Sequence, residues 1–191
     1  RGDNKTDSRY GKLREPTQLL TNLARQFDVL SADRTVQSDG VVTTETAAMG
    51  QTAFMSPTVF NFFPPDYVIP GTTLNSPEFG IFTTGTSIAR ANFGNLMVFS
   101  RININAGRSV TAGTSIDLTA MQALSTADVT GNLMLDELNR KMMHGTMSND
   151  MRNTIRTAVT AVPSATAANH LLRAQTAMYL IFTSSQYQVQ R

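Results

Sequence analysis

Residues 54–67 read FMSPTVFNFFPPDY, and this stretch decides how the chain can fold. It contains five of the fourteen aromatic side chains, and residues 54–71 contain four of the seven prolines. Repeated prolines exclude a regular helix, because proline fixes φ and has no N–H to donate. Four Phe and one Tyr exposed together would form an apolar patch that soluble monomers rarely tolerate. The sequence therefore predicts an ordered, irregular loop whose rings plug into a helical core, with at least two of Phe60, Phe62 and Phe63 largely buried.

The composition is that of a folded domain with a hydrophobic core. The 191 residues are enough for one domain, and 41% hydrophobic against 16% charged residues argues against disorder. The sequence contains no cysteine, which excludes disulfides, thiolate metal sites and a cysteine nucleophile. No run approaches the roughly 18 apolar residues of a membrane-spanning helix. We expect residues 1–191 to form a single helical domain.

The distribution of charge argues against nucleic-acid binding. The net charge is only +2, and residues 35–89, which include the aromatic stretch, contain no Lys or Arg. Proteins that bind nucleic acid neutralise phosphates with clustered Lys and Arg, often beside aromatic side chains. We therefore expect no nucleic-acid partner.

Helical periodicity and capping residues predict a mainly α fold. Pro16 and Pro77 suit the first position of a helix, and Ser148 and Ser164 suit N-caps. The last three helices are joined by short loops and are expected to form a C-terminal three-helix unit. Residues 101–115 are compatible with a hairpin or an irregular loop, and residues 186–191 with an extended tail. The five main helices are predicted near residues 16–31, 77–98, 133–143, 149–162 and 165–183.

Several separated motifs carry a resemblance to a known family. They occur in a fixed order and at specific spacings, and together they span nearly the whole chain. The chain resembles the C-terminal part of the bacterial family called domain of unknown function 1800. The matching motifs are GKLREP at residues 11–16, SPTVFNFFPPDY at residues 56–67, SPEF at residues 76–79, GTMS at residues 145–148, YLIFTS at residues 179–184 and YQVQR at residues 187–191.

The resemblance implies several expectations. Members of the family are longer than this chain, so it would be the C-terminal portion of a larger protein. Many carry export signals, which implies a periplasmic, cell-surface or extracellular location in a bacterium, with the signal outside these 191 residues. The implied partners are the remainder of the parent chain and a protein similar to phosphatases and sulfatases. The resemblance implies no cofactor and no catalytic residue. Ser185 departs from the family pattern, in which proline follows Ser184.

The strongest polar candidate is a charged cluster before the first helix. Lys12 and Arg14, with Glu15 beside them, have the chemistry to hold a carboxylate, sulfate or phosphate of a substrate. The structural alternative, which we favour, is an ion-pair network that anchors the helix start. Asn61 and Tyr67 from the aromatic stretch complete the candidate set.

The two histidines suggest a metal site only weakly. His144 and His170 with Asp136 or Glu137 would supply ligands of the right type. However, His144 is expected at a helix end, where its charge suits the dipole, and His170 lies on a different helix. We therefore expect neither a metal nor a cofactor.

The sequence contains no complete motif of a hydrolase active site. Ser87 and Ser115 follow glycine at the spacing of a nucleophile elbow but lack its final glycine. A pair of carboxylates separated by about 5–9 Å would suit a glycosidase, but sequence alone does not place two side chains that close. The carboxylates available for such a pair are Asp66, Glu78, Asp117 and Asp128.

Two functional hypotheses follow. The first is a noncatalytic helical scaffold or docking module of an exported protein, and the lack of a catalytic constellation favours it. The alternative is part of a hydrolase acting on extracellular polymers, with its site shared with a preceding N-terminal region that also covers apolar faces such as Leu19, Leu23 and Phe27. Convergence of the candidate polar set in an open cleft would favour the hydrolase, whereas sealing of the set in ion pairs and core would favour docking.

Overall fold

The computed structural model describes residues 10–31, 33, 38, 40, 42–103 and 113–190, and they form the mainly α domain that the sequence predicts. Within these residues, no helix is long and apolar enough to cross a membrane. The helices are α1 Pro16–Gln26, α2 Thr43–Ala48, a 3₁₀ helix Pro77–Ile81, α3 Thr84–Phe99, α4 Thr119–Ala127, α5 Asn132–Met143, α6 Asn149–Ala161, α7 Ala167–Thr183 and α8 Ser185–Gln188. The strands are β1 Lys12–Leu13, β2 Val29–Leu30, β3 Ser115–Ile116 and β4 Val189–Gln190.

The four strands form two antiparallel pairs that tie distant segments together. β1 pairs with β4, so that Leu13 lies opposite Val189 near both ends of the described chain. β2 pairs with β3, and Val29 lies opposite Ile116. Residues 186–191 were expected to be extended, but the helical turn α8 occupies 185–188 and only β4 is a strand.

Helix α7 lies at the centre of the fold and packs against α3, α4 and α6. Its buried side chains include Met178, Ile181 and Phe182, each 0% exposed. Since α5 and α6 also contact each other and α7, the predicted three-helix unit forms. Ser148 caps α6 as expected, but the N-cap of α7 is Thr166, whose hydroxyl accepts a hydrogen bond from the Asn169 amide.

The first helix is shorter than predicted and is covered by its own chain. α1 ends at Gln26 rather than residue 31, because Asp28 has φ +46 and the chain then enters β2. Leu19 and Leu23 are 0% exposed and Phe27 is 2% exposed. α1 packs against α2 and α5. The expectation that a preceding region is needed to cover this apolar face is therefore wrong.

The predicted helix over residues 77–98 is two helices. The 3₁₀ helix ends at Ile81, and α3 begins at Thr84. Thr83 is the N-cap of α3 and forms a reciprocal capping box with Thr86. A side chain that satisfies the first free N–H groups of a helix favours a new start at that position. Two threonines and a glycine over residues 83–85 also lower helix propensity there.

The aromatic stretch, named here the Phe/Pro loop (residues 54–71), lies on the surface. Its segment is irregular, as predicted. However, Phe60 is 63% exposed and Phe62 and Phe63 are only half-buried, and all three lie outside the hydrophobic core cluster. The prediction of a core plug is therefore wrong. The core is filled instead by side chains of the helices, chiefly Leu, Met, Ile and Phe.

Part of the region 101–115 lies outside the described residues. Residues 104–112 belong to that part, so the choice between hairpin and irregular loop is left open there. On either side, Ile102 and Thr114 form an antiparallel bridge, with Ile102 N donating to the Thr114 carbonyl at 2.8 Å.

The close approach of α3 to α7 yields a first prediction. A Cβ added at Gly94 would lie 2.7 Å from Cε1 of Phe182, whose ring is fully buried. We expect Gly94→Ala to lower the free energy of unfolding by about 1–3 kcal/mol through overpacking, measured by urea denaturation. Gly85→Ala in the exposed first turn of the same helix is the control, since its nearest neighbour, Thr83 Oγ1, is 3.8 Å away.

The control variant should be neutral or up to about 1 kcal/mol more stable, because alanine is the better helix former. Combining Gly94→Ala with Phe182→Leu should show a favourable coupling energy, since the smaller side chain relieves the contact. Equal stability of Gly94→Ala and the wild type would show that the helices separate without cost.

Candidate functional site

The charged cluster before α1 forms an ion-pair network centred on Lys12. Lys12 Nζ lies 2.9 Å from Glu15 Oε1 and 3.3 Å from Glu78 Oε1. Glu78 belongs to the 3₁₀ helix and is 4% exposed, so Lys12 bridges two segments that are distant in sequence. Burial acts to lower the pKa of Lys12, but the hydrogen bonds and charges of Glu15 and Glu78 outweigh it and raise that pKa.

Glu15 is held further by the segment that follows α2. Gln51 Nε2 donates to Glu15 Oε2 at 2.8 Å, while Gln51 Oε1 accepts from the Thr17 amide at 2.9 Å. The glutamine therefore satisfies a free N–H in the first turn of α1 and orients the carboxylate at its N-cap. Both oxygens of Glu15 are engaged in anchoring the helix, which is the structural role that the sequence favoured.

Arg14 is a core residue rather than a surface cation. It is 5% exposed, and its Cζ lies 4.2 Å from the centroid of the Tyr187 ring. Its amide donates to the Gln188 carbonyl at 2.8 Å, and its carbonyl accepts from Arg90 Nη1 at 2.8 Å. Burial lowers the pKa of Arg90 to about 10. Arg14 thus stabilises the junction of β1 with the end of the chain and is closed to a substrate.

Asn61 and Tyr67 lie apart from this network. Asn61 is exposed with φ +72, in a turn in which its amide donates to the Thr58 carbonyl. Tyr67 is half-buried, and its carbonyl accepts from the Ser76 amide at 3.0 Å. In the described part of the chain, no hydrogen bond or ion pair joins either residue to Lys12, Arg14 or Glu15. Arg14 lies in the core and Asn61 in an exposed turn, so the five candidates do not form one hydrogen-bonded cluster.

The histidines are separated and occupy structural positions. His144 is exposed and follows α5 with φ +52. His170 is 7% exposed, and its Nδ1 lies 3.1 Å from Oγ of Ser125, which is 0% exposed. Sequence reasoning missed this serine–histidine contact, which joins α4 to α7 out of reach of a substrate. Across residues 10–190, wherever they are described, no three His, Asp or Glu side chains are grouped to hold a metal ion.

The hydrolytic candidates also have local structural roles. Ser115 is buried and donates to the Ser31 carbonyl at 2.8 Å, and Ser87 donates to the Thr84 carbonyl at 2.9 Å. Asp117 Oδ1 accepts from the Thr119 amide at the start of α4. Hydroxyls that donate to backbone carbonyls are not poised for attack on a substrate.

Asp128 accepts hydrogen bonds from residues at the start of α5. Its Oδ1 accepts from the side chain and amide of Thr130, and its Oδ2 accepts from the Leu133 amide at 3.0 Å. These hydrogen bonds, that of the Thr130 side chain first, lower the pKa of Asp128 to about 2. Glu78 is bound to Lys12, and Asp66 is exposed on the Phe/Pro loop. The four candidate carboxylates are thus distributed among separate elements.

The surface feature that remains is the Phe/Pro loop itself. Phe54 is 105% exposed and Val59 95% exposed, followed by Met55 at 71% and Phe60 at 63%. Phe54 has φ +64, a strained conformation for a bulky side chain. No charged residue occurs over residues 46–65. These four exposed apolar side chains all lie within residues 54–60, and exposed apolar surface that is concentrated in one place marks interaction sites.

Local hydrogen bonds order the backbone of the Phe/Pro loop. Thr58 and Asn61 form a bridge, and the Phe60 amide donates to Thr58 Oγ1 at 3.1 Å. Val68 bridges Asn75 a few residues later. An open groove of about 410 Å³ is lined by residues of the loop and of the 3₁₀ helix. Its lining residues are Phe60, Phe63, Pro65, Asn75, Pro77 and Glu78.

Comparison with known proteins identifies the family of this chain. A family model described as protein of unknown function, DUF1800, matches residues 2–189. The chain belongs to the DUF1800 family. No match was found to a curated protein or to a solved structure. The segments that carry the resemblance in this DUF1800 chain have different structural roles: residues 11–16 build the ion-pair network, and residues 56–67 form most of the exposed apolar surface.

Proposed function

We propose that this DUF1800 domain is a noncatalytic docking module that binds an apolar protein surface through the Phe/Pro loop. The observation that carries the proposal is the exposure of Phe54, Met55, Val59 and Phe60 on one ordered loop. The pairing of Lys12 with Glu15 and Glu78 and the burial of Arg14 in the core support docking over the hydrolase alternative.

The chemistry of the loop indicates an apolar protein partner. Residues 46–65 contain no charge, so electrostatic attraction contributes little, and burial of aromatic and aliphatic side chains supplies the binding free energy. Turns already order the loop, which lowers the entropy lost on binding. Aromatic and Met side chains are enriched at the centres of protein interfaces.

The first partner we propose is the remainder of a longer parent chain, and the phosphatase- or sulfatase-like protein implied by the family resemblance is the second. A parent chain keeps its partner at high effective concentration, so that an uncharged loop of this size binds stably. The proposed setting is an exported bacterial protein.

The proposal predicts that the loop dominates the exposed apolar surface of the isolated chain. We expect the wild type to bind a dye specific for apolar surface and to self-associate in sedimentation experiments. Phe54→Asn combined with Phe60→Ser should remove most of both properties. Asparagine is chosen at position 54 because it accepts a positive φ more readily than other residues.

A control double variant, Leu133→Ser with Leu172→Ser, changes two exposed side chains on α5 and α7 and should leave both properties unchanged. All variants should unfold within about 0.5 kcal/mol of the wild type, as surface substitutions usually do. Retention of dye binding by the loop variant would contradict the proposal.

The absence of cysteine allows the occupant of the loop to be tested directly. Val59→Cys places a single thiol on the loop, and Ala127→Cys places one on the exposed end of α4. Maleimide should label both rapidly in this chain. In a longer parent protein, the label at position 59 should be slowed, whereas that at position 127 should not. Equal labelling in the parent would exclude the remainder of the chain as the occupant.

A further inference from the structure

A second pocket lies on another part of the molecule, where the turn before α5 meets the end of α6 and the start of α7. It has a volume of about 570 Å³ and opens to solvent. Two of its lining residues are arginines, and none is a carboxylate. Its lining residues are Val129, Thr130, Asn132, Arg156, Thr157, Thr160, Ser164 and Arg173.

Arg173 is a buried cation in the wall of this pocket. It is 4% exposed, and its Nε donates to the Val162 carbonyl at 2.9 Å while its Nη1 donates to the Val129 carbonyl at 2.8 Å. Two backbone carbonyls therefore fix the plane of the guanidinium. Among the described residues, neither a carboxylate nor another acceptor binds its Nη2. The two carbonyls are neutral, so an anion at Nη2 would supply the counter-charge that the guanidinium lacks.

Arg156 supplies a second cation at the exposed rim. Its Nη2 donates to Asn153 Oδ1 at 3.2 Å, and no described carboxylate pairs with it. Two acids lie near the pocket in sequence, and of these Asp128 is beside it, because it binds the lining residue Thr130. Asp128 accepts from Thr130 and Leu133, and Asp136 is paired with Arg152 at 2.7 Å. Neither guanidinium of the pocket forms an ion pair with a described carboxylate, so each can bind a solute.

The hydroxyl groups around the pocket complement the cations. Thr157 and Thr160 donate their protons to backbone carbonyls of α6, and Thr130 donates to Asp128. Their oxygens keep lone pairs that can accept from a solute. Donors on the arginines and acceptors on the threonines suit a ligand that combines an anionic group with hydroxyls.

We propose that the Arg156–Arg173 pocket binds an oxyanion, a phosphate, sulfate or carboxylate group, either free or carried on a saccharide. Guanidinium groups bind such anions through charge-assisted hydrogen bonds, and Arg173 is already oriented. The site is independent of the Phe/Pro loop and of the docking role.

Titration with inorganic sulfate and phosphate at constant ionic strength tests the site. We expect each anion to raise the melting temperature of the wild type in a saturable manner. Arg156→Gln should raise the dissociation constant about tenfold, because one charge-assisted hydrogen bond to the anion is lost. Arg156 is exposed, so this variant should fold. Arg25→Gln removes an exposed arginine of α1 and is the matched control, with unchanged binding.

The source of the oxyanion is tested with glucuronate and a sulfated oligosaccharide. Tighter binding of a saccharide than of the inorganic anion supports a sugar ligand, and equal binding supports a free anion. Phosphorus magnetic resonance of the wild type with phosphate gives a readout that does not depend on any variant. A response that is not saturable, or one that is the same in Arg156→Gln and Arg25→Gln, would overturn the proposal.

Discussion

Phe182→Ala is expected to lower the free energy of unfolding by about 3–5 kcal/mol. The ring is 0% exposed and lies on α7, the helix that contacts α3, α4 and α6. Its centroid is 5.9 Å from that of Phe93 and 5.6 Å from that of Tyr187. Truncation would leave a cavity that the close contact with Gly94 does not fill, because glycine has no side chain to move into it.

The matched comparison is Phe60→Ala on the Phe/Pro loop. Phe60 is 63% exposed, so the same truncation should change stability by less than about 0.5 kcal/mol. Urea denaturation of both variants measures the difference. If Phe60→Ala cost as much as Phe182→Ala, the loop would be part of the core after all, and the assignment of the exposed rings to docking would be wrong.

Ionisation of Tyr187 at alkaline pH is expected to lower the free energy of unfolding by about 2–3 kcal/mol. Burial raises the pKa of Tyr187 to about 12, and this outweighs the nearby positive charge of Arg14. The unfolded phenol has its ordinary pKa near 10, so the unfolded state releases a proton first. The contribution is therefore complete below pH 10 and is lost as the pH rises from about 10 to about 12.

Tyr187→Phe isolates this contribution. Above pH 10 the free energy of unfolding should fall less in the variant than in the wild type, because the variant has no phenol to ionise. The variant also loses the weak hydrogen bond from the phenol to Gln26, and this loss is the same across the range. Arg90, with its pKa lowered by burial to about 10, has the opposite effect in this range, because its folded form loses a proton before the unfolded form. That effect is common to both proteins. Parallel pH profiles of unfolding would contradict the prediction.

Much of the helical architecture was predictable from local chemistry. Ser148 caps α6 and Pro16 begins α1, and both act within one turn of chain. The apolar spacing of Leu135, Leu138 and Met142 placed one face of α5 in the core. The end of α1 was less predictable, because the chain leaves the helix through a positive φ at Asp28 to pair β2 with the distant β3.

For the candidate site, the sequence indicated only the charged residues next to α1. Lys12 and Glu15 lie only three residues apart in sequence, and their ion pair forms where the chain passes from β1 into α1. Their partners Glu78 and Gln51 come from distant segments, and no local pattern indicates that they approach. The Arg156–Arg173 pocket has no signature in the sequence for the same reason, because its two cations lie on different helices and line one pocket only when α6 packs against α7.

By itself, the sequence determined that the chain is mainly helical and where α5, α6 and α7 lie to within a few residues, because periodicity and capping are local signals. It also determined that residues 54–71 form no regular helix, because proline fixes φ and donates no hydrogen bond. Tertiary structure alone decided that the rings of the Phe/Pro loop lie outside the core. Hydrophobicity is equal in Phe60 and Phe182, but α7 lies among three helices that exclude water from Phe182, whereas short-range turns keep Phe60 at the surface.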